Sequence, residues 1–156
     1  MKKSIELLKT KLEEELRGKI KSFYVGDPWI IPESFMPALM ISPNRTESNV
    51  IDNQRDSHNH FIDISLVIDA RQYFSATPEK MVGTVFLMDT MEGEAADGSI
   101  ESASILGVLR ENLDISTNRF IKNISSIDYT VRRRTEELIT LEAIAHLEIE
   151  YLINRS

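Results

Sequence analysis

The chain has 156 residues, 42% hydrophobic and 28% charged, with 18 basic against 25 acidic side chains for a formal charge of −7. Such a length predicts one domain spanning 1–156, and the acidic balance argues against tight, non-specific DNA binding, which draws on phosphate neutralisation. The absence of cysteine excludes disulfides and thiolate chemistry, and no apolar run approaches the length that spans a bilayer.

The opening "MKKSIELLKTKLEEELRGKI" starts basic but carries four glutamates, unlike a signal-peptide core, so a cytoplasmic origin is expected. Ile5, Leu8, Leu12 and Leu16 recur at helical spacing, which predicts a first helix with one buried stripe, ending near Gly18. "VGDPWIIPESFMP" holds Pro28, Pro32 and Pro37, each lacking a ladder donor, and reads as an irregular crossing with Trp29 as an anchor. "ALMIS", closed by Pro43, reads as a short buried strand. Residues 44–60 are polar apart from Val50 and Ile51, and are expected to form the arms and tip of a long hairpin. Its second arm runs on into "FIDISLVIDA", where Ile62, Ile64, Leu66 and Ile68 take one face and Asp63, Ser65 and Asp69 the other.

Thr77-Pro78-Glu79 carries the start signals of a second helix: a hydroxyl cap, a proline in the first turn and an acid near the positive end of the dipole. Its expected apolar positions are Met81, Val82, Val85, Phe86 and Met88. "EGEAADGS" is an acidic loop, and a third helix follows with Ile105, Leu106, Val108, Leu109 and Leu113. In "SSIDYTVR" Ile127, Tyr129 and Val131 alternate with Asp128, Thr130 and Arg132. After the turn "RRTEE", Leu141, Ala143, Ala145, Leu147, Ile149, Tyr151 and Ile153 line one face of a last strand, with Glu142, His146, Glu148 and Glu150 on the other. The fold class is α+β: an antiparallel sheet of four to five strands, helices packed on one face, and a long protruding hairpin.

Three constellations invite a chemical reading. His58-Asn59-His60 places two imidazoles on one strand face about 7 Å apart, with Asp56 as a possible third metal ligand. His146 falls on the opposite face by parity, so the sheet separates it from the pair. In the nuclease family named for the letters H-N-H those residues sit apart, across a hairpin and a helix, and not consecutively in one strand. The pair therefore reads as part of a polar hairpin arm. Asp63, Asp69, Glu142, Glu148 and Glu150 form a water-facing acidic face, either plainly solvated or a wall towards a polyanion or partner. Arg132-Arg133-Arg134 reads as a hairpin tip or a source of intersubunit ion pairs ahead of a phosphate grip. The six glycines form no phosphate-cradling loop and no serine sits in a nucleophile elbow. No catalytic residue, cofactor or metal ligand is assigned; the rival is a metal-dependent hydrolase or nuclease using His58, His60 and Asp56.

The order of features resembles a known group. An N-terminal helix leads through a proline-rich crossing to a short strand, then a long polar hairpin, two helices, and a terminal hairpin ending in "HLEIEYLINR". This is similar to the tail-terminator and tail-completion proteins of the neck region of long-tailed bacteriophages. The likeness covers nearly the whole chain and lies in organisation, with no motif behind it. It implies a structural virion protein at the tail–neck junction, assembled in the host cytoplasm into a hexameric ring that caps the tail tube. Its partners would be further copies of itself, the tube protein and the neck or connector proteins, with DNA passing through unbound and no membrane involved. A neck or head-completion adaptor is the nearest alternative. On this reading Val50, Ile51, Arg55, His58, His60, Arg132, Arg133 and Arg134 are candidate subunit contacts, and the acidic face is a candidate lumen wall. The polar arm 44–60 gains little within a monomer and suits pairing with a neighbour's sheet edge.

Overall fold

Helix α1 (Lys2–Leu16) forms where the four-residue apolar stripe predicts it, with Ile5, Leu8, Leu12 and Leu16 all buried. Lys2–Glu6, Lys9–Glu13, Lys11–Glu15 and Arg17–Glu13 are ion pairs one helical turn apart, each worth a few tenths of a kcal/mol, about 0.2–0.5, to an exposed helix face. The amides of Lys19 and Ile20 fold back onto the Leu16 carbonyl at 2.9 and 3.0 Å, closing the helix before Gly18.

The computed structural model describes residues 1–71 and 82–154. After α1 come β1 (Ser22–Val25), a 3-10 turn (Glu33–Phe35), β2 (Ala38–Val50), β3 (Arg55–Asp69), α2 (Val82–Met91), α3 (Ile105–Glu111), β4 (Asp114–Ser116), β5 (Arg119–Arg133) and β6 (Ile139–Asn154). The strands form one sheet in the order β1-β2-β3-β6-β5-β4. It is α+β as expected, but the sheet is larger and mixed: six strands in place of four to five, with β1 parallel to β2. β1 and β4 are four and three residues long, too short for alternation to mark them in the sequence.

Two further expectations change. Pro43 does not close the first strand; β2 continues to Val50, and the register shifts between Pro43 and Arg45. A bulge on an otherwise unpaired edge tolerates a residue without an N–H. Nor does the hairpin protrude alone. β3 pairs with β6 along its whole length, from Arg55↔Asn154 to Asp69↔Thr140, so three long strands reach the tip together.

The helices cover one face. Leu39, Ile41, Ile62, Ile64, Leu66, Ile68, Ala143, Ala145, Leu147 and Ile149 meet the α1 stripe, Leu87 and Met91 of α2, and Ile105, Val108 and Leu109 of α3 in one core. On α2 the sequence-based face is only partly right, since Val85 and Met88 are exposed while Leu87 and Met91 are buried. The helix is apolar on nearly every side, so periodicity alone names no inward face. Its expected start at Thr77-Pro78-Glu79, together with Met81, lies outside the described residues. α3 is capped by Ser104, whose Oγ accepts the Gly107 amide at 3.0 Å; Leu113, past its end, is exposed. Among the described residues no helix is long and apolar enough to cross a membrane.

A second, smaller core lies on the opposite face, where the proline-rich crossing folds over one end of the sheet. There Ile31 and Met36 pack on Ala38, Met40, Val67 and Leu138. Among the described residues the rest of that face carries no helix.

Candidate functional site

Strand parity sorts the polar residues as the sequence suggests, and the crossing then decides their surroundings. On the helix-free face, β3 presents Asp63, Ser65, Val67 and Asp69, while β6 presents Glu142, His146, Glu148 and Glu150. Cross-strand pairs such as Asp63↔His146 and Val67↔Glu142 set them side by side. The expected water-facing acidic face is corrected at one end, because Asp69 and Glu142 are completely buried, Asp69 paired with Arg71 at 3.3 Å.

Glu142 survives there because Arg134 comes with it. Both side chains are fully buried, with Arg134 Nη2 donating to both Glu142 oxygens at 3.2 Å. Arg134 Nη1 donates to Asp27 Oδ1 at 2.6 Å and to the Trp29 carbonyl at 3.0 Å, and Nε donates to Thr140 Oγ1 at 3.3 Å. Thr140 Oγ1 donates to Glu142 Oε2 at 2.7 Å, and Arg132 stands 3.4 Å from Asp27 and 3.7 Å from Glu142. A buried charge is tolerable when paired and fully hydrogen-bonded, as this one is. Burial alone would raise the Asp27 pKa, but the Arg134 hydrogen bond, the Trp29 amide and the charges of Arg134 and Arg132 together hold it below the usual carboxylate range.

Trp29 is the anchor its composition suggests, by an unexpected route. It adopts φ 63°, a left-handed conformation costly for a bulky residue. Its amide donates to Asp27 Oδ1 and its indole Nε1 to the Arg134 carbonyl, each at 2.7 Å. Arg134 is thus a latch between the crossing and the β5–β6 turn and not a free intersubunit arginine; Arg133 alone of the three is exposed.

His60 is also corrected. It belongs to no solvated arm but is buried on the helix face beneath the start of α1. Its Nδ1 lies 2.9 Å from Ser4 Oγ and its Nε2 lies 3.1 Å from the Met1 amino group, so both ring nitrogens are engaged within the chain. Burial first, then the nearby Met1 ammonium, His58 and Arg119, push its pKa down to about 4. His58 is half-buried and packs edge-on against His60 and Tyr151, with Arg119 stacked 3.8 Å from the Tyr151 ring. His146 lies across the sheet, and among the described residues no three His, Asp or Glu side chains are grouped to hold a metal ion.

Midway down the helix-free face sits a cluster that the sequence reading only half assembled. His146 Nδ1 meets Asp63 Oδ1, and Nε2 meets Asp128 Oδ2, both at 2.7 Å. An imidazole facing a carboxylate at each nitrogen must donate from both, which only its protonated form can do. Burial would lower its pKa, but the hydrogen bonds to Asp63 and Asp128 outweigh that and hold it above the ordinary value. The result is a cross-strand tie through β3, β6 and β5. No nitrogen is left to activate a nucleophile. Asp128 was the missing member; its parity with Thr130 and Arg132 was legible, but its partner depended on the β5–β6 register.

Below this tie the face is open and mostly acidic. Glu47, Glu148 and Glu150 accompany Lys122, which pairs with Glu148 at 3.6 Å, and Arg45, which stacks 3.9 Å from the Phe61 ring. At the hairpin tip Val50 is 74% exposed and Ile51 is exposed, while Arg55 is held by Asp52 at 2.8 Å.

The sheet does not close on itself. β1 covers β2 only at Ala38–Ile41, and β4 meets β5 only at Arg119–Phe120. Among the described residues Ser42–Val50 of β2 and Lys122–Arg133 of β5 therefore pair on one side only. Scans against models of known protein families and against curated proteins find no match to this chain.

Proposed function

We propose that the chain is a structural ring protein of the neck region of a long-tailed bacteriophage, a tail terminator that caps the tail tube. The observation that carries the ring is the pair of long sheet edges, each with a row of backbone donors and acceptors turned outward. Such edges are a template for pairing with another chain. They lie at opposite ends of the strand order and run in opposite directions, since β5 is antiparallel to β2 through β3 and β6. Head-to-tail repetition of one contact closes into a ring when its rotation divides the circle.

The helix-free face supports the rest of the reading. Its open part carries Asp63, Asp128, Glu47, Glu148 and Glu150 against Arg45, Lys122 and His146. A lumen wall of that sign repels DNA phosphates and lets a duplex pass without sticking. The helices would then form the outer layer. Of the interface residues named from sequence, Val50, Ile51, Arg55, His58, Arg132 and Arg133 remain candidates; His60 and Arg134 are occupied inside the subunit.

Native mass measurement and electron micrographs of the purified chain test this directly. Rings of one stoichiometry are expected. A monomer at every concentration would sink the ring, and tail tubes that finish and join heads normally without the chain would sink the terminator assignment.

A further inference from the structure

The two sheet edges are not straight, and their outlines match. Register carries common levels across the sheet: Ile41, Ile64, Ala145 and Ile127 stand at one level, Thr46, His60, Ile149 and Ile121 at another. On one edge β1 projects beside Ala38–Ile41, and β2 is recessed from Ser42 to Val50, towards the tip. On the other edge the order is reversed. β4 projects at the tip end, where Arg119 and Phe120 pair with it and the Ile121 amide donates to the Leu113 carbonyl at 2.8 Å, and β5 is recessed from Lys122 to Arg133.

We infer that these stepped edges are the two halves of one interface between copies of this chain: β1 of one copy fills the recess along β5 of the next, and β4 of that next copy fills the recess along β2. The inference rests on the ring reading and supplies its contact. A rotation about an axis along the strands preserves strand direction, so the β1–β5 seam is antiparallel and the β4–β2 seam parallel, both ordinary ladders. A strand tilt shifts both seams together along the edge without undoing the fit.

Side chains agree with the outline. Phe23 packs on the helix-side core, so Val25, two residues on, faces the same way and is 59% exposed. Along the β5 recess Ile127 packs on that core too, and Tyr129 and Val131 continue its face, Val131 being 65% exposed. Joining the edges sets Phe23 and Val25 beside Ile127, Tyr129 and Val131, and covers Val25, Tyr129 and Val131, which are exposed in the single subunit. Cross-strand pairs of this kind are the unit by which a sheet gains stability.

The chain has no cysteine, so engineered thiols report without background. Val25→Cys is combined in turn with Ile127→Cys, Tyr129→Cys or Val131→Cys, three same-face positions that sample the register. Neighbouring residues on adjoining strands fall within disulfide reach. Mild oxidation of one double variant is expected to yield a ladder of multimers up to the ring, while every single variant stays uncross-linked. A ring that persists in wild type with no ladder from any pair overturns the stepped interface and leaves the ring reading standing. Dimers from Val25→Cys alone mean that like edges meet, which overturns head-to-tail assembly itself. Wild-type protein monomeric throughout ends both. Hydrogen exchange of unmodified protein, above and below its assembly concentration, gives an independent reading. New protection must fall on residues 22–25, 42–50, 114–116 and 126–133, and protection elsewhere with these segments unchanged refutes the assignment.

Discussion

Replacing Arg134 by methionine removes the cation on which the buried end of the helix-free face depends. The substitution deletes the hydrogen bonds to Glu142, Asp27, the Trp29 carbonyl and Thr140, and leaves the fully buried Glu142 carboxylate with only the Thr140 hydroxyl at 2.7 Å and Arg132 at 3.7 Å. Breaking one partner of a buried pair costs about 3–5 kcal/mol, because the other charge stays behind without compensation. For a chain of this size each kcal/mol moves the melting temperature by a few degrees, so a fall of about 6–20 °C is expected. The companion variant Arg134→Met/Glu142→Leu removes both charges, and should recover more than half the loss, since an apolar pair of similar volume needs no counter-charge. Urea denaturation of wild type, both single variants and the double variant completes a thermodynamic cycle, provided the slopes stay equal. Two results refute the argument: an Arg134→Met cost within about 0.5 kcal/mol, the range of an ordinary surface change, or single losses that simply add in the double variant.

The His146 tie makes a signed prediction. Its folded-state pKa is raised by Asp63 and Asp128, so its stabilisation is fully present below the unfolded value of about 6.5 and is lost as pH rises through the folded value. Denaturation of wild type at pH 6 and pH 9 should show that decline, and His146→Gln should flatten it; an NMR titration of the imidazole that gives an ordinary or lowered pKa would contradict the bridged geometry. Gly107 lies in α3 against the loop before it, where an added Cβ would stand 2.1 Å from the Glu101 carbonyl oxygen. Gly107→Ala should therefore cost about 1–3 kcal/mol by overpacking, although alanine is the better helix former; an unchanged or raised melting temperature would show that the loop yields freely.

Much of the fold was legible because local patterns report it. The α1 stripe, the alternation in β3 and β6, a hairpin tip somewhere within 44–60 and the turn at "RRTEE" all rest on contacts close in sequence or on strict period. Parity alone separated His58 and His60 from His146, which the sheet does divide. α2 shows where periodicity stops: apolar residues on nearly every side leave no inward face to read, and the choice of Leu87 and Met91 over Val85 and Met88 was made by what they pack against.

The sequence by itself determined which residues share a face along unbroken runs such as β3 and β6, because alternation is a property of the extended backbone; the bulges at Pro43/Arg45 in β2 and at Ile121/Asn123 and Ile124/Ser126 in β5 reset it. Only the tertiary structure decided what lies on that face. Glu142, His146 and Glu150 share it, yet the first is buried and the other two keep partial contact with water. The difference is the proline-rich crossing, over a hundred residues away from Glu142 in the chain, which brings Asp27 and Trp29 onto Arg134. Parallel pairing of β1 and the stepped outline of both edges came the same way. Each depends on which strand ends beside which, and no local period encodes that.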